Sequence, residues 1–313
     1  MPVQPATSRS AVSISRNVEK GIEWDWINVI GIAFFHLMAL LALFPLFFSW
    51  SGLILAFLGN YLFGTLGINL FYHRFLTHKG FQCPKWLERL FAILAVCCFQ
   101  DSPARWVAVH RRHHECSDEE GDPHSPVRGF LWAHVGWVLV KSNDATRLEL
   151  YARYAKDILR DPFYRKLEDP RIYIGVLALQ CLVFFGAGFL IGLVLGADLQ
   201  SALVFAASWL IWGVFVRTVF VWHATWSVNS VAHVWGYQNY DTGENSRNNL
   251  LIGYLTNGEG WHNNHHADPR SARHGHRPFE FDLTWLTIRF LARMGLAWNI
   301  REANIRPDGQ STV

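Results

Sequence analysis

Histidine side chains are concentrated in four short stretches of the chain. Two of these stretches have the pattern His-x-x-His-His, HRRHH at 110–114 and HNNHH at 262–266. On a helix the first histidine of this pattern neighbours the other two, so three imidazoles share one face. The four stretches together hold nine of the fifteen histidines: His73, His78, His110, His113, His114, His233, His262, His265 and His266.

Nine imidazoles are more ligands than one tetrahedral zinc ion can use. They suit two metal ions with open coordination positions, although imidazole alone does not choose among iron, zinc, copper and nickel. Asn229 lies one helical turn before His233 and is expected to hold a metal-bound water. The remaining histidines are expected to make structural hydrogen bonds: His36, His124, His134, His223, His274 and His276.

Four long apolar segments must position these histidines. Residues 26–50, 51–72 and 172–197 contain no charged side chain, and residues 201–222 contain only Arg217. Each segment has about the 20 residues that a helix needs to cross the hydrocarbon core of a bilayer. The sequence therefore predicts an all-α integral membrane protein with four transmembrane helices.

The distribution of basic residues predicts how this protein is oriented. The connections near residue 50 and at 196–200 contain no lysine or arginine, although the chain has 28. The positive-inside rule places both termini and the middle segment, 73–171, in the cytoplasm. All four histidine stretches then lie on the cytoplasmic side, where we expect a helical cap to hold the dimetal site.

Two shorter apolar segments differ from the spans. Residues 90–99 are too few to cross a bilayer and are expected to lie in its interface or to dip in and return. Residues 281–298 combine an apolar face with arginines, as interfacial helices do. The expected organisation is a flexible cytosolic N-terminal tail, 1–24, one membrane domain, 25–300, and a C-terminal tail, 301–313. The net charge of +3 and the absence of a recognition motif argue against nucleic acid as a partner.

From about Tyr61 to Asn299 the chain resembles the membrane fatty acid desaturases, specifically the acyl-CoA (stearoyl-CoA, delta-9) type in a bacterial form. The resemblance rests on HRFLTH, WVAVHRRHHECSDEEGDPHSPVRGFLWAHVGW, TWSVNSVAHVWG and GEGWHNNHHADPRSARHG. It implies two iron ions held by the nine histidines and by a water on Asn229. It also implies O₂-dependent insertion of a cis double bond at the bacterial inner membrane. Electrons would come from a separate carrier of ferredoxin, rubredoxin or cytochrome type and its reductase.

The resemblance also implies which residues contact the substrate. Gln100, Trp106 and Thr225 match positions that shape a bent acyl channel beside the metals. Counting back along span two from His73, at 1.5 Å per residue, we expect Thr65 to line this channel and Tyr61 to form its floor.

Carboxylates close to the histidine stretches are expected to orient the imidazole rings, as outer partners of metal ligands do. Glu259, three residues before His262, is the first choice, and Asp118 is the second. The other candidates are Asp122, Asp241, Glu244 and Asp268.

The sequence leaves the acyl carrier and the reaction outcome open. Ala108 and Val109 replace a basic–acidic pair that docks the CoA headgroup in the animal enzymes. The third histidine stretch looks more like bacterial and cyanobacterial desaturases, some of which act on acyl chains already in lipids. The metal ligands would also suit a fatty acid hydroxylase or alkane oxygenase of similar chemistry, or a membrane zinc protein without redox turnover.

Overall fold

The computed structural model describes residues 23–141 and 144–305, and within them it is helical, with isolated bridges and no named strand. The expected tails, 1–24 and 301–313, lie mostly outside the described residues. The helices are α1 (Trp26–Leu40), α2 (Trp50–Thr77), α3 (Lys85–Val96), α4 (Pro103–Glu115), α5 (Phe130–His134), α6 (Asp144–Tyr154), α7 (Lys156–Leu159), α8 (Pro162–Leu167), α9 (Pro170–Val194), α10 (Leu199–Val234), α11 (Leu250–Leu255), α12 (His262–Ala267) and α13 (Leu283–Arg293).

Four of these helices are long and apolar enough to cross a membrane: α1 with the turn that follows it, α2, α9 and α10. Their outward side chains are apolar, as at Leu182 and Leu190 of α9, which are 70 % and 63 % exposed. Apolar side chains that are this exposed are unfavourable in water, so this side of the helix faces lipid. The prediction of an all-helical fold with four transmembrane helices is confirmed.

The helix bounds differ from the predicted spans in a consistent way. The predicted span 26–50 is too long, since α1 ends at Leu40 and the extended Phe44 before Pro45 interrupts the chain. The predicted spans 51–72 and 201–222 are too short, because α2 and α10 continue beyond the apolar run into their histidine-bearing ends. The predicted span 172–197 runs past the end of its helix, because α9 ends at Val194 and Gly196 then has a φ of +85°.

Part of α2 is not an ordinary α-helix. Its segment Asn60–Thr77 is π-helical, and the N–H of His78 donates to the carbonyl of His73 at 3.2 Å. A π-helix bonds residues five apart, so it has more residues per turn than the 3.6 of an α-helix. Side chains that share a face of this segment are therefore four or five residues apart.

The short apolar segment 90–99 forms most of α3 and the turn after it. α3 packs on α2, and the turn ends against α10, where Arg217 Nη1 donates to the carbonyl of Cys97 at 3.1 Å. Trp222 Nε1 donates to the carbonyl of Cys98 at 2.7 Å. Backbone groups at membrane depth must be paired within the protein, and these side chains supply the partners.

The segment 281–298 contains the amphipathic helix α13. Its inner face buries Trp285 and Ile288, while Leu286 and Phe290 are exposed. The hydroxyl of Thr287 lies 2.9 Å from that of Tyr61, so α13 lies beside α2 within the depth of the span.

Candidate metal centre

The nine histidines converge on two adjacent groups, brought together by α2, α4, α10 and α12. Within each group the nearest ring nitrogens lie within 4.8 Å of one another, and nearly all of the rings are buried. The first group contains His73, His78, His110, His114 and His265, and the second contains His113, His233, His262 and His266.

Both His-x-x-His-His segments contribute to both groups. On α4, His110 and His114 belong to the first group and His113 to the second, because four residues return to the same helix face while three fall short of it. On α12, by contrast, His265 is in the first group and His262 and His266 are in the second. The two helices face each other, with 2.9 Å between Nε2 of His265 and Nε2 of His114.

Carboxylates bond the outward nitrogen of three of these rings. An Nδ1–H that donates to a carboxylate leaves Nε2 unprotonated and directed into the group, which is the tautomer that a metal ligand needs. Glu259 and Asp118, the two carboxylates expected in this position, are among the three. The pairs are Glu259 with His73 (2.5 Å), Asp118 with His233 (3.1 Å) and Asp122 with His113 (3.0 Å).

The remaining candidate carboxylates differ in their contacts. Glu244 lies 3.6 Å from Nδ1 of His266. Asp241 accepts from the N–H of Gly243 and Asp268 from that of Asn304, so these two bond to nearby backbone.

A fully buried arginine, Arg74, supports Glu259. Its Nε and Nη2 donate to Glu259 Oε1 at 3.0 and 2.8 Å, and its Nη1 donates to Asp282 Oδ2 at 2.9 Å. Burial alone would raise the pKa of Glu259, but Arg74, His274 and His73 together lower it well below its ordinary value. Arg74 was not among the residues predicted from the sequence, although a charge directly after His73 in an apolar helix was a usable signal.

Six histidines of the two groups, all outside the spans, have pKa values that favour the neutral ring. Burial, followed by the neighbouring imidazoles, lowers their pKa values well below the ordinary value. Neutral imidazole is the form that binds a metal ion. This statement covers His78, His110, His114, His262, His265 and His266.

Two histidines expected to make ordinary hydrogen bonds pack instead on these groups. The ring of His274 lies 4.5 Å from that of His265, with Nδ1 at 3.3 Å from Glu259 Oε2. The ring of His124 lies 4.3 Å from that of His113. Neither has a sequence spacing that links it to the ligand histidines, because the loops that place them are irregular. The other four make hydrogen bonds away from the two groups. His36 and His134 both bond His223, and His276 bonds Tyr240.

A largely apolar cavity leads to the first group. It encloses about 540 Å³ of empty space, a figure that includes its open mouth. Asn229, Trp106 and Thr225 line it, and Gln100 stands behind Thr225, donating to its Oγ1 at 2.9 Å. The histidines on its wall are His73, His110 and His262.

The expected channel residues of span two lie off this wall. Thr65 accepts from Asn257 Nδ2 at 2.8 Å, and Tyr61 bonds Thr287. The wall is formed instead by Asn60, Gly64 and Ile68. The prediction counted only the rise along the helix. Thr65 and Tyr61 each follow a wall residue by one position, so they lie on another face of this segment.

Comparison with known proteins identifies this arrangement. Residues 48–279 match the family described as "Fatty acid desaturase", which is well over half of the chain. The chain belongs to the fatty acid desaturase family. With four apolar spans, this desaturase family member is an integral membrane protein.

The curated relatives include both lipid-linked and CoA-linked enzymes. The sn-1 stearoyl-lipid 9-desaturase of Anabaena variabilis is 40% identical over 280 residues, which is 90% of this chain and 95% of that protein. The enzyme of the same name from Synechocystis is 41% identical over 88% of this chain and 80% of its own. The icosanoyl-CoA 5-desaturase of Limnanthes douglasii is 38% identical over 88% of this chain and 72% of its own. The family is thus confirmed, whereas the acyl-CoA type is not.

Proposed function

We propose that the protein is an acyl-lipid desaturase that inserts a cis double bond at carbon nine of a saturated chain esterified in a membrane lipid. The observation that carries this is an apolar cavity whose wall includes histidines of two adjacent, largely buried histidine groups. The names of the Anabaena and Synechocystis relatives support the lipid carrier and the position. Ala108 and Val109, in place of a basic–acidic pair, support it further.

The donor set fits two iron ions. One would be held by His73, His78, His110, His114 and His265, and the other by His113, His233, His262, His266 and a water on Asn229. When bound, the irons supply with O₂ the oxidising power that an unactivated CH₂ group requires. Two hydrogens from the chain, two electrons and two protons reduce O₂ to two waters.

The polypeptide contributes position and exclusion of water. The methylenes of a saturated chain are chemically alike, so only the depth and bend of the cavity select one bond. Trp106 stacks on His110 with ring centroids 5.0 Å apart, and the Gln100–Thr225 hydrogen bond fixes the opposite wall. The apolar side chains around them keep water from the reacting carbons.

The proposal includes a cytoplasmic site in a bacterial inner membrane, with both termini on that side. The connections at 44–49 and 195–198 contain no basic residue. A separate ferredoxin, rubredoxin or cytochrome-type carrier with its reductase would deliver the electrons.

The competing functions differ in a measurable way. A zinc protein without redox turnover needs three or four ligands and leaves the other histidines unexplained. A hydroxylase or alkane oxygenase would use the same metals but release an oxygenated product. Metal analysis separates the first case, and product analysis the second.

Expression in an auxotroph for unsaturated fatty acids tests the proposal. Wild-type protein should restore growth and place a double bond at carbon nine, located by mass spectrometry of the lipids. His110→Ala and His265→Ala should abolish the product and lower the bound iron while the protein still inserts into the membrane. His36→Ala is the control and should remain active, since His36 bonds His223 away from both groups. Full activity of either ligand variant would refute the assignment of the site.

A further inference from the structure

An exposed apolar surface lies beside the C-terminal end of α10. It is formed by Leu250, Leu251, Tyr254 and Leu255 of α11 together with Trp235, Phe279 and Phe281, and we call it the α11 surface. Its members are in contact: the Tyr254 ring stacks on Phe281, its hydroxyl donates to the carbonyl of Phe279, and Asn249 beside α11 donates to that of Trp235. Exposed apolar area of this extent marks a surface that contacts something other than water.

The α11 surface is continuous with the membrane-facing part of the protein. Trp235 follows directly on α10, the fourth span, and residues 248–258 (NNLLIGYLTNG) contain no charge. Trp and Tyr are the residues enriched where a protein crosses the membrane–water interface.

The loop that follows α11 reaches down beside the second span. Asn69 Nδ2 donates to the carbonyl of Thr256 at 2.7 Å, and Asn257 Nδ2 donates to Thr65 at 2.8 Å. Asn69 and Thr65 both precede His73 within α2, on the membrane side of the metal centre. The C-terminal end of α11 therefore lies at bilayer depth, below the level of an aqueous cap.

The cavity reaches this surface at Leu255. Leu255 lines the cavity and is also 44% exposed, so one part of its side chain faces the cavity and another part faces the surroundings of the protein. Ala224 and Val228 of α10 line the cavity as well. Leu255 therefore separates the space in front of His73 and His262 from the surroundings, and a passage between α10 and α11 would open at this side chain.

We propose that the acyl chain of a bilayer glycerolipid enters the cavity sideways through this passage, directly from the hydrocarbon layer, with its headgroup left in the interface at the α11 surface. The inference rests on the proposed function, because only a lipid-linked substrate is already in the bilayer. A chain entering this way stays in an apolar environment throughout. An acyl-CoA, in contrast, would have to approach from water.

Fluorescence quenching tests whether lipid chains reach the passage. Bimane attached at Leu255→Cys, in vesicles of phosphatidylcholine with brominated acyl chains, should be quenched as strongly as at Leu190→Cys on the lipid-facing side of α9. Glu120→Cys, exposed between charged residues of the cap, is the aqueous control. Quenching at Leu255 no stronger than at Glu120 would overturn the proposal.

A kinetic comparison tests whether the passage is used. Leu255→Trp should slow double-bond formation in cell lipids about tenfold, the effect of removing two methylenes of the acyl chain from apolar contact. The larger indole would occupy the space through which those methylenes pass. Leu286→Trp is the matched control, with the same residue type and the same 44% exposure but no contact with the cavity. Iron content of the purified variants shows that each has folded. Equal rates for Leu255→Trp and Leu286→Trp would overturn the passage, and if Leu255→Trp loses its iron the quenching result decides.

The carrier itself is tested separately. Cells holding wild-type enzyme incorporate labelled stearate into lipids without O₂, and O₂ is then admitted while fatty acid synthesis is blocked. Conversion of the labelled, preformed lipid is expected. Conversion of labelled stearate that is supplied together with O₂, but not of the preformed lipid, would refute the lipid carrier, and with it the passage. Conversion of preformed lipid with a normal Leu255→Trp rate would refute the passage alone.

Discussion

At the scale of single residues, the candidate metal centre depends on which nitrogen of each imidazole is free. Glu259 accepts from Nδ1 of His73 and is itself held by the buried Arg74. Arg74 also bonds Asp282, which accepts the N–H of Trp285 at the start of α13. The ring of His73 is thus tied through two carboxylates and one guanidinium to helix α13.

Glu259→Gln should weaken iron binding while leaving the fold intact. The amide keeps the shape but loses the charge that balances Arg74, and partners of this kind change metal affinity about 10- to 100-fold. Bound iron, measured after dialysis against a graded chelator, is the readout. Asp241→Asn is the control, since Asp241 lies near the same histidines in sequence but bonds only the N–H of Gly243 among described residues. Equal iron retention in both variants would contradict this role.

At the scale of helices, the sequence predicted the four spans and the common side of the nine histidines. Both follow from local patterns: uncharged length for the spans, and His-x-x-His-His spacing for the groups. The channel wall was not predictable in the same way, because hydropathy does not reveal which face of Asn60–Thr77 lines the cavity. His274 and His124 were missed because irregular loops, which no spacing rule describes, bring them to the centre. Arg74 was missed although its position directly after His73 in an apolar helix was a usable signal.

Gly64 should limit the length of the acyl chain. A Cβ at this position would lie 2.9 Å from Asn60 Oδ1 and 3.0 Å from Val221 Cγ2, so a side chain added here would narrow the cavity. Gly64→Leu should shift products toward chains two carbons shorter by about tenfold, the effect of excluding two methylenes from an apolar wall. Lipid chain profiles by mass spectrometry measure this.

The control for Gly64 is Gly175→Leu in α9, where a Cβ has open space. The double bond should keep its position counted from the carboxyl end in both variants. An unchanged chain-length profile in Gly64→Leu, at normal activity, would mean that the acyl chain does not reach this part of the cavity.

At the scale of the whole molecule, a single buried arginine joins three elements within the membrane. Arg217 of α10 donates to the carbonyl of Cys97 after α3 and to Gln180 of α9, and its stem packs on Gly59 of α2. Arg217→Met should lower the free energy of unfolding by about 1–3 kcal/mol, because the buried carbonyl and amide oxygens lose their donors. Thermal unfolding in detergent measures it. Arg171→Met, at a side chain 87% exposed, should have no comparable effect.

The orientation of the whole protein depends on the uneven distribution of its basic residues. The connections at 44–49 and 195–198 contain none, while the segment that carries His110 to His114 is rich in arginine. In a bacterial inner membrane the positive-inside rule then directs these connections outward and the metal centre toward the cytoplasm. An impermeant maleimide added to intact cells should label Gln200→Cys, which is exposed at the start of α10, and should leave Glu120→Cys unlabelled until the cells are opened. The reverse pattern would place the metal centre on the outer side, away from any cytoplasmic electron carrier, and would refute the proposed route of electrons as well as the orientation.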